Sequence, residues 1–301
     1  MSSLKKYEYV IAIANCGGIS QAAEELGIAQ PALSKYLKKL EEEIGLELFD
    51  RSSIPIKTTH AGELFIETGK ALLDAERQLK KQLDEIKNNE STVIRIGISP
   101  SRSPYMMPRI IKSYKEAYKD VRIIIEECTT TALSERLASG ELDLIITLLD
   151  EDTARFTHVD LFEESLLLAL PSDCAHADIH DALKSHPLIS VGRGQALWQT
   201  MNKIVSKTGI SEPAIEAQSI ESAISLVKAG LGATIVPSYI ASFGESDKMS
   251  NLRFIALSEL GIEESSSLYK RKVCLFFRKE QFLTKAEEAL IECAKNLKNG
   301  Y

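Results

Sequence analysis

The sequence predicts an N-terminal all-α winged helix-turn-helix with a long linker helix, followed by an α/β region of two Rossmann-like subdomains. Three observations carry this. Residues 18–40, GISQAAEELGIAQPALSKYLKKL, read as two short helices across a tight turn. Phe65, Leu72, Leu79 and Ile86 recur every seven residues, the mark of one long helix with a narrow apolar seam. After Thr92, apolar strand-like runs alternate with helical segments. The chain divides accordingly into 1–59, 60–88 and 92–301. The last part splits into one subdomain of about 92–164 plus 268–301 and another of about 165–267.

Taken in order, Leu4 to Ala14 is an amphipathic helix with Leu4, Tyr7, Val10, Ile11 and Ala14 on one side. Ser20 is expected to cap a helix over Gln21–Leu26, which Gly27 ends in a left-handed turn. Pro31 suits the first turn of the next helix. There Leu33, Leu37, Leu40 and Ile44 form the apolar face, and Gln30, Ser34, Lys35 and Lys38 fall mostly on another. That polar set suits a groove reader: Gln can bond adenine bidentately, Ser can bond base or phosphate, and Lys can reach guanine or phosphate. Residues 46–58 read either as a β-wing whose Arg51 and Lys57 touch the DNA backbone or minor groove, or as a plain surface hairpin.

Thr59 is a candidate N-cap for the long helix, which would span roughly 40 Å. Its seam, Phe65, Leu72, Leu79, Leu83 and Ile86, is narrow and suits pairing with a second helix, with packing on its own chain as the alternative. A polar hinge at 88–91 follows. The strands expected next are VIRIGIS, VRIIIEE, LDLIITLL, SLLLALP, LISV, AIEAQ, GATIVP, FIAL and VCLFF, with helices between them. The closing helix opens with Thr284-Lys285-Ala286-Glu287, a full capping box.

The chain has 301 residues and a formal net charge of −7, which excludes a uniformly basic polyanion binder but permits a local patch. Residues 1–60 hold seven Lys/Arg against eight Asp/Glu, so a DNA footprint has to be local. No apolar run approaches a membrane span and no signal peptide is visible, so a cytoplasmic protein with no membrane partner is expected. Five dispersed cysteines without a C-x-x-C fit a reducing compartment.

Ligands of open α/β sheets sit beyond the carboxyl ends of strands. Here those points are rich in hydroxyls: Ser99-Pro100-Ser101-Arg102-Ser103, Thr129-Thr130-Thr131, and Ser219. Helix N-termini with hydroxyls favour an anion such as a carboxylate, and Arg102 adds charge. Gln195 and Trp198 are expected on the opposite wall. There is no nucleophile elbow, P-loop or complete dinucleotide fingerprint, so no catalytic residue, no enzyme activity and no cofactor are expected. Cys174, His176, Asp178, His180 and His186 fit no closed zinc pattern, so no metal is expected either.

Residues 7–62 closely resemble the N-terminal domain of LysR-type transcriptional regulators. The resemblance lies in YEYVIAIA, Ala22-Ala23, QPALSKYLKKLEEEIGLELFDR and the Thr59-x-Ala61-Gly62 helix start. Gly18, Lys35 and Thr58 depart from the usual Ser, Arg and Leu, and Lys35 lacks the bidentate fork of arginine. GELDLIIT and VKAGLGATIVP more loosely resemble that family's effector domain, itself similar to periplasmic binding proteins. The resemblance implies a transcription regulator that acts as a dimer of dimers on an interrupted inverted repeat of double-stranded DNA. It also implies control by a small effector, with RNA polymerase as a further candidate partner. Within such a family Cys128, placed near the cleft, is either an inert buried thiol, the commoner role, or a redox sensor. Two rival functions remain at this point: a solute-binding or enzymatic α/β protein with an accessory helical domain, and a DNA binder without a ligand.

Overall fold

The computed structural model describes residues 4–52, 55–87, 93–174, 179–193, 196–243, 251–261 and 270–297. They divide into two compact units, Met1–Asn89 with Ala138–Glu141, and Glu90–Leu137 with Leu142–Tyr301.

In the first unit, α1 (Lys5–Cys16) stops at Gly17, whose φ of 64° is open to glycine without strain. Helix α2 (Ile19–Glu25) starts earlier than its serine suggests. Gly18, in an extended conformation, occupies the cap position, so Ser20 lies inside the helix and does not cap it. Helix α3 (Gln30–Ile44) carries Pro31 in its first turn and ends at Gly45. Leu33, Leu37 and Leu40 are buried against Val10, Ile13, Ala22 and Ala23. Ile44, expected as the fourth member of this face, is exposed, because the helix breaks at the next residue.

A two-stranded wing follows. Strand β1 (Phe49–Asp50) pairs antiparallel with β2 (Lys57–Thr58), Phe49 opposite Thr58. Residues 53 and 54 of the expected wing lie outside the described residues. Helix α4 (His60–Ile86) is capped by Thr59, whose hydroxyl accepts from the Gly62 amide at 3.0 Å. Gly62 is required by space: a Cβ there would sit 2.0 Å from the Leu48 carbonyl oxygen. One member of the expected seam turns inward. The Phe65 ring packs 4.8 Å from Tyr7, in the core of its own domain, so it is not available to a partner helix.

The second unit alternates as expected. It runs β3 (Val93–Ile98), α5 (Ser103–Ala117), β4 (Arg122–Glu127), α6 (Thr130–Ala138), β5 (Leu144–Leu148) and β6 (Thr157–Pro171). It continues α7 (Ile179–Ser185), β7 (Ile189–Val191), α8 (Ala196–Thr208), β8 (Ile215–Ala217), α9 (Ile220–Lys228) and β9 (Thr234–Pro237). It closes with α10 (Ser238–Phe243), β10 (Leu252–Ala256), β11 (Lys270–Phe277) and α12 (Lys285–Lys295). The expected hinge at 88–91 lies outside the described residues.

Strand β3 lies between β4 and β5, parallel to both, and its Ile94, Ile96 and Ile98 are fully buried. These three share one face, while on the other Gly97 is buried and Val93 and Arg95 are half-buried. Strand β11 runs antiparallel between β5 and the first half of β6. The second half of β6 pairs with β9 and β10 instead, so this one strand joins two groups of strands. The sequence motif SLLLALP is therefore only the apolar end of a longer strand that begins at Thr157. The capping box on α12 forms as expected, with Thr284 accepting from the Glu287 amide and the Glu287 carboxylate accepting from the Thr284 amide.

Candidate anion cleft and nucleic-acid interface

Five strand ends meet around one cavity of about 130 Å³. Ser99, Pro100, Ser101 and Arg102 follow β3, and Cys128, Thr129 and Thr130 follow β4. Leu148 ends β5, Ser219 and Glu221 bracket the start of α9 beyond β8, and Pro237 ends β9 just before Tyr239. Leu197 from α8 and Arg271 from β11 complete the wall. All five strands present their carboxyl ends, where α/β sheets leave amide donors free at following helix N-termini. Helices α5, α6 and α9 begin here.

Of the residues expected in this cleft, Ser99, Pro100, Ser101, Arg102, Thr129, Thr130 and Ser219 do line it together. Three do not. Ser103 is buried in the first turn of α5, and Thr131 points to solvent one position past the cavity. Trp198 lines a separate polar hollow with Arg193, whose guanidinium carbon is 5.9 Å from the indole centroid. Its neighbour Leu197 takes the cleft wall, because adjacent helical residues face about 100° apart. Gln195 lies outside the described residues.

The floor of the cavity is ionic. Arg102 Nη2 donates to Glu164 Oε1 at 2.7 Å, and Arg271 Nη2 donates to the same oxygen. The Glu164 side chain is 0% exposed and those of Arg102 and Arg271 are 7% and 11%. Two guanidinium groups share one carboxylate, which leaves an excess positive charge where water is scarce. Burial pulls the Arg271 guanidinium below its usual value, with Glu164 opposing that shift. Tyr239 stacks under Arg102 at 5.5 Å and donates its hydroxyl to the Ser101 carbonyl at 3.1 Å, which fixes the loop after β3. Ser99 accepts from Arg102 Nη1 at 3.4 Å and contacts Ser101 Oγ at 3.3 Å.

Glu221 is the counterweight. Burial pushes its carboxyl above the ordinary glutamate range, and the nearby Glu127 charge adds to this. Its Oε1 is buried without a hydrogen-bond partner among the described residues. Glu164, Glu221, Tyr239 and Arg271 carry no local sequence signal that marks them for this cleft. Glu164 and Arg271 sit in long strands 107 residues apart, and only the β6–β11 pairing joins them.

At the other end of the chain, Gln30, Pro31, Lys35 and Lys38 are exposed along α3 and Ser34 is half-buried beside them. Lys38 and Glu42 approach to 3.9 Å, but both are so exposed that the pair holds the lysine weakly. Ser20 is exposed on α2 and Lys57 on β2. Arg51 has a structural partner that the sequence did not disclose. It donates to Glu41 Oε2 at 2.6 Å, while Glu41 Oε1 accepts from the Leu48 amide at 2.8 Å. Arg51 thus clamps the wing onto α3 through one guanidinium nitrogen, while 46% of its side chain stays exposed. On α4, Leu72, Leu79, Leu83 and Ile86 form an exposed apolar stripe.

A family model described as LysR substrate binding domain matches residues 87–298. A second, described as bacterial regulatory helix-turn-helix protein, lysR family, matches residues 4–63. The DNA-binding transcriptional dual regulator OxyR of Escherichia coli (strain K12) is 29% identical over 240 residues, covering 78% of this chain and 79% of its own. A full-length OxyR variant from Pseudomonas aeruginosa superposes with a TM-score of 0.70 at 24% identity, covering 98% of this chain and 95% of that one. Full-length CbnR complexed with its target DNA gives 0.63 at 17% identity, covering 98% and 99%. Both structures share the fold of this chain.

Proposed function

The chain belongs to the lysR family of bacterial regulatory helix-turn-helix proteins, and from that membership we propose how its own residues carry out DNA binding and effector control. It is a LysR-type DNA-binding transcription regulator with an effector-binding domain. In our reading α3 enters the major groove, with Gln30, Ser34 and Lys35 at the bases and Pro31 orienting the first turn. Lys38, Ser20, Lys57 and the outer edge of Arg51 contact phosphates. Two chains pair through Leu72, Leu79, Leu83 and Ile86 of α4 and present two recognition helices to an interrupted inverted repeat, with a pair of dimers as the full assembly. The setting is the cytoplasm, and RNA polymerase is the downstream partner.

The effector is a small organic anion with an apolar body. The observation that carries this is the shared Glu164: a buried positive excess beneath three helix N-termini, walled by Leu148, Leu197, Pro237 and Tyr239. The carboxylate binds toward Ser99, Ser101, Thr129 and Thr130, and the apolar part lies against the leucines. To act as a switch, the anion has to bind one arrangement of the two subdomains more tightly than the other.

Selection of genomic fragments by the purified protein tests the DNA half, with Gln30→Ala and Lys35→Ala alongside. Enrichment of a dyad site that both substitutions weaken is expected. Enrichment of nothing above background at moderate salt, with and without small carboxylates, would overturn the assignment of α3. A thermal-shift screen of short aliphatic and aromatic carboxylates tests the cleft. At least one is expected to stabilise the wild type and to lose that effect in Thr129→Val.

A further inference from the structure

We propose that His158, Asp160 and Cys274 form a binding site for a single divalent transition-metal ion, zinc by the softness of its donors. The three residues come from two strands. His158 and Asp160 are two apart on β6 and so share one face of the sheet, and Cys274 of β11 lies directly opposite Asp160. That opposition depends on a β-bulge: the register shifts between Val273 and Cys274, leaving Leu161 unpaired. Without the shift Cys274 would face Leu161 and the three side chains would not meet. Bulges of this kind re-aim side chains at functional positions.

The distances suit a metal without rebuilding the strands. The Cys274 Sγ is 3.4 Å from Asp160 Oδ1, and His158 Nε2 is 3.6 Å from that same oxygen. All three donor atoms lie within 4.8 Å of one another. A tetrahedral zinc with bonds of about 2.0–2.3 Å places its ligand atoms about 3.3–3.8 Å apart. The exposed imidazole closes the remaining gap by rotating about its own side-chain torsions, and the ring of Phe276, 5.6 Å away, supports it from below.

Lys272 does not compete for the site. Its Nζ holds Asp160 at Oδ2, 2.9 Å away, and leaves Oδ1 turned toward the thiol and the imidazole. It is the second contact that a ligating carboxylate commonly has, fixing the oxygen that faces the ion. On binding, the thiol proton that now points at Asp160 leaves to solvent, and thiolate plus carboxylate neutralise the dication. Imidazole, carboxylate and thiolate together suit zinc or cobalt rather than magnesium or calcium. Three protein ligands leave a fourth position for water or a ligand from outside. No metal is expected from the sequence, in which the His- and Cys-bearing segment 174–186 shares no residue with this cluster.

Titration of the full-length protein with Co²⁺ tests the site, because a thiolate ligand gives an intense charge-transfer band that water, imidazole and carboxylate do not. One equivalent is expected to produce the band, and Zn²⁺ is expected to displace it. His158→Ala and Asp160→Ala, both on partly exposed side chains, should abolish it while leaving the circular dichroism spectrum unchanged. Cys274→Ser is the third arm, supported by the first two should its buried position disturb folding. Absence of a band overturns the proposal, as does a band that survives His158→Ala and Asp160→Ala. A band lost only on substitution of Cys174 and His186 also overturns it, placing the metal elsewhere. None of these outcomes bears on DNA binding or on the anion cleft.

Discussion

Glu164 does two jobs that pull in opposite directions. It accepts from both buried guanidinium groups, which the fold needs, and as one carboxylate facing two cations it favours an anion nearby. Removing its charge strands both Arg102 and Arg271 in a site with little water. Glu164→Gln should therefore lower the unfolding free energy by about 3 kcal/mol, read from urea denaturation. Small carboxylates should recover more stability in this variant than in the wild type, because the anion replaces the missing charge. Equal stability of variant and wild type would show that the trio is not a buried electrostatic unit. Glu221 sets the pH dependence. Its carboxyl titrates above the ordinary glutamate value of 4.5, so the folded chain holds that proton more tightly than the unfolded chain does. The stability tied to it is complete below 4.5 and is lost as the pH rises through the raised value. The protonated form also adds no negative charge to the cleft. Anion affinity should thus increase as the pH falls through that window, and Glu221→Gln should flatten the dependence in isothermal titration.

At the scale of elements, the junction of the wing and α4 is built on close backbone approach. Thr59 caps α4 and also donates its hydroxyl to the Glu47 carbonyl at 2.7 Å, while its amide donates to the Leu48 carbonyl at 3.0 Å. Gly62 leaves the room this needs, since any Cβ would overlap the Leu48 carbonyl. Gly62→Ala should cost about 1–3 kcal/mol, seen as a lower urea midpoint, through displacement of α4 from the wing. Thr59→Ala should cost about 1 kcal/mol from the lost cap. This junction shows what local sequence could disclose and what it could not. The Thr59 cap, the exposed Leu72, Leu79, Leu83 and Ile86 and the helix-breaking glycines are encoded within a few residues and are legible there, whereas the inward turn of Phe65 and the cap of α2 at Gly18 rather than Ser20 are not. The strand-end hydroxyls of the cleft were legible for the same reason, because each is fixed by its own strand and the helix that follows. Arg51 with Glu41, Arg102 with Glu164, and the Asp160–Cys274 opposition depend on register or on packing between separate elements. No periodicity in one segment carries that information. The polar start of β6 is not legible either, since THVDLFEE lacks the apolar continuity of its second half.

The whole molecule turns on a helix that its own chain leaves half bare. Leu79 is 55% and Ile86 77% exposed, and with Leu72 and Leu83 they make a stripe along α4 that polar residues flank. A row of leucines in water favours association, and a narrow seam at heptad spacing selects another helix as the partner. Each α3 presents few cations, Lys35 and Lys38 foremost, with acidic residues at 41–43 following on the same helix. One copy should accordingly bind DNA weakly, and two joined copies should bind far more tightly, the second contact being made at high effective concentration. Leu79→Glu tests both links at once. It places a charge in the middle of the seam and does not touch the core of either compact unit, so secondary structure and the thermal shift with carboxylates should persist. Sedimentation should show an assembly smaller than that of the wild type. Affinity for a dyad site should drop by on the order of 100-fold or more, while affinity for an isolated half-site should hardly change. A variant that keeps the full wild-type mass would move the interface off α4. A monomer that still binds the dyad at full strength would mean that one recognition helix suffices, and that the spacing of two is not what this protein reads.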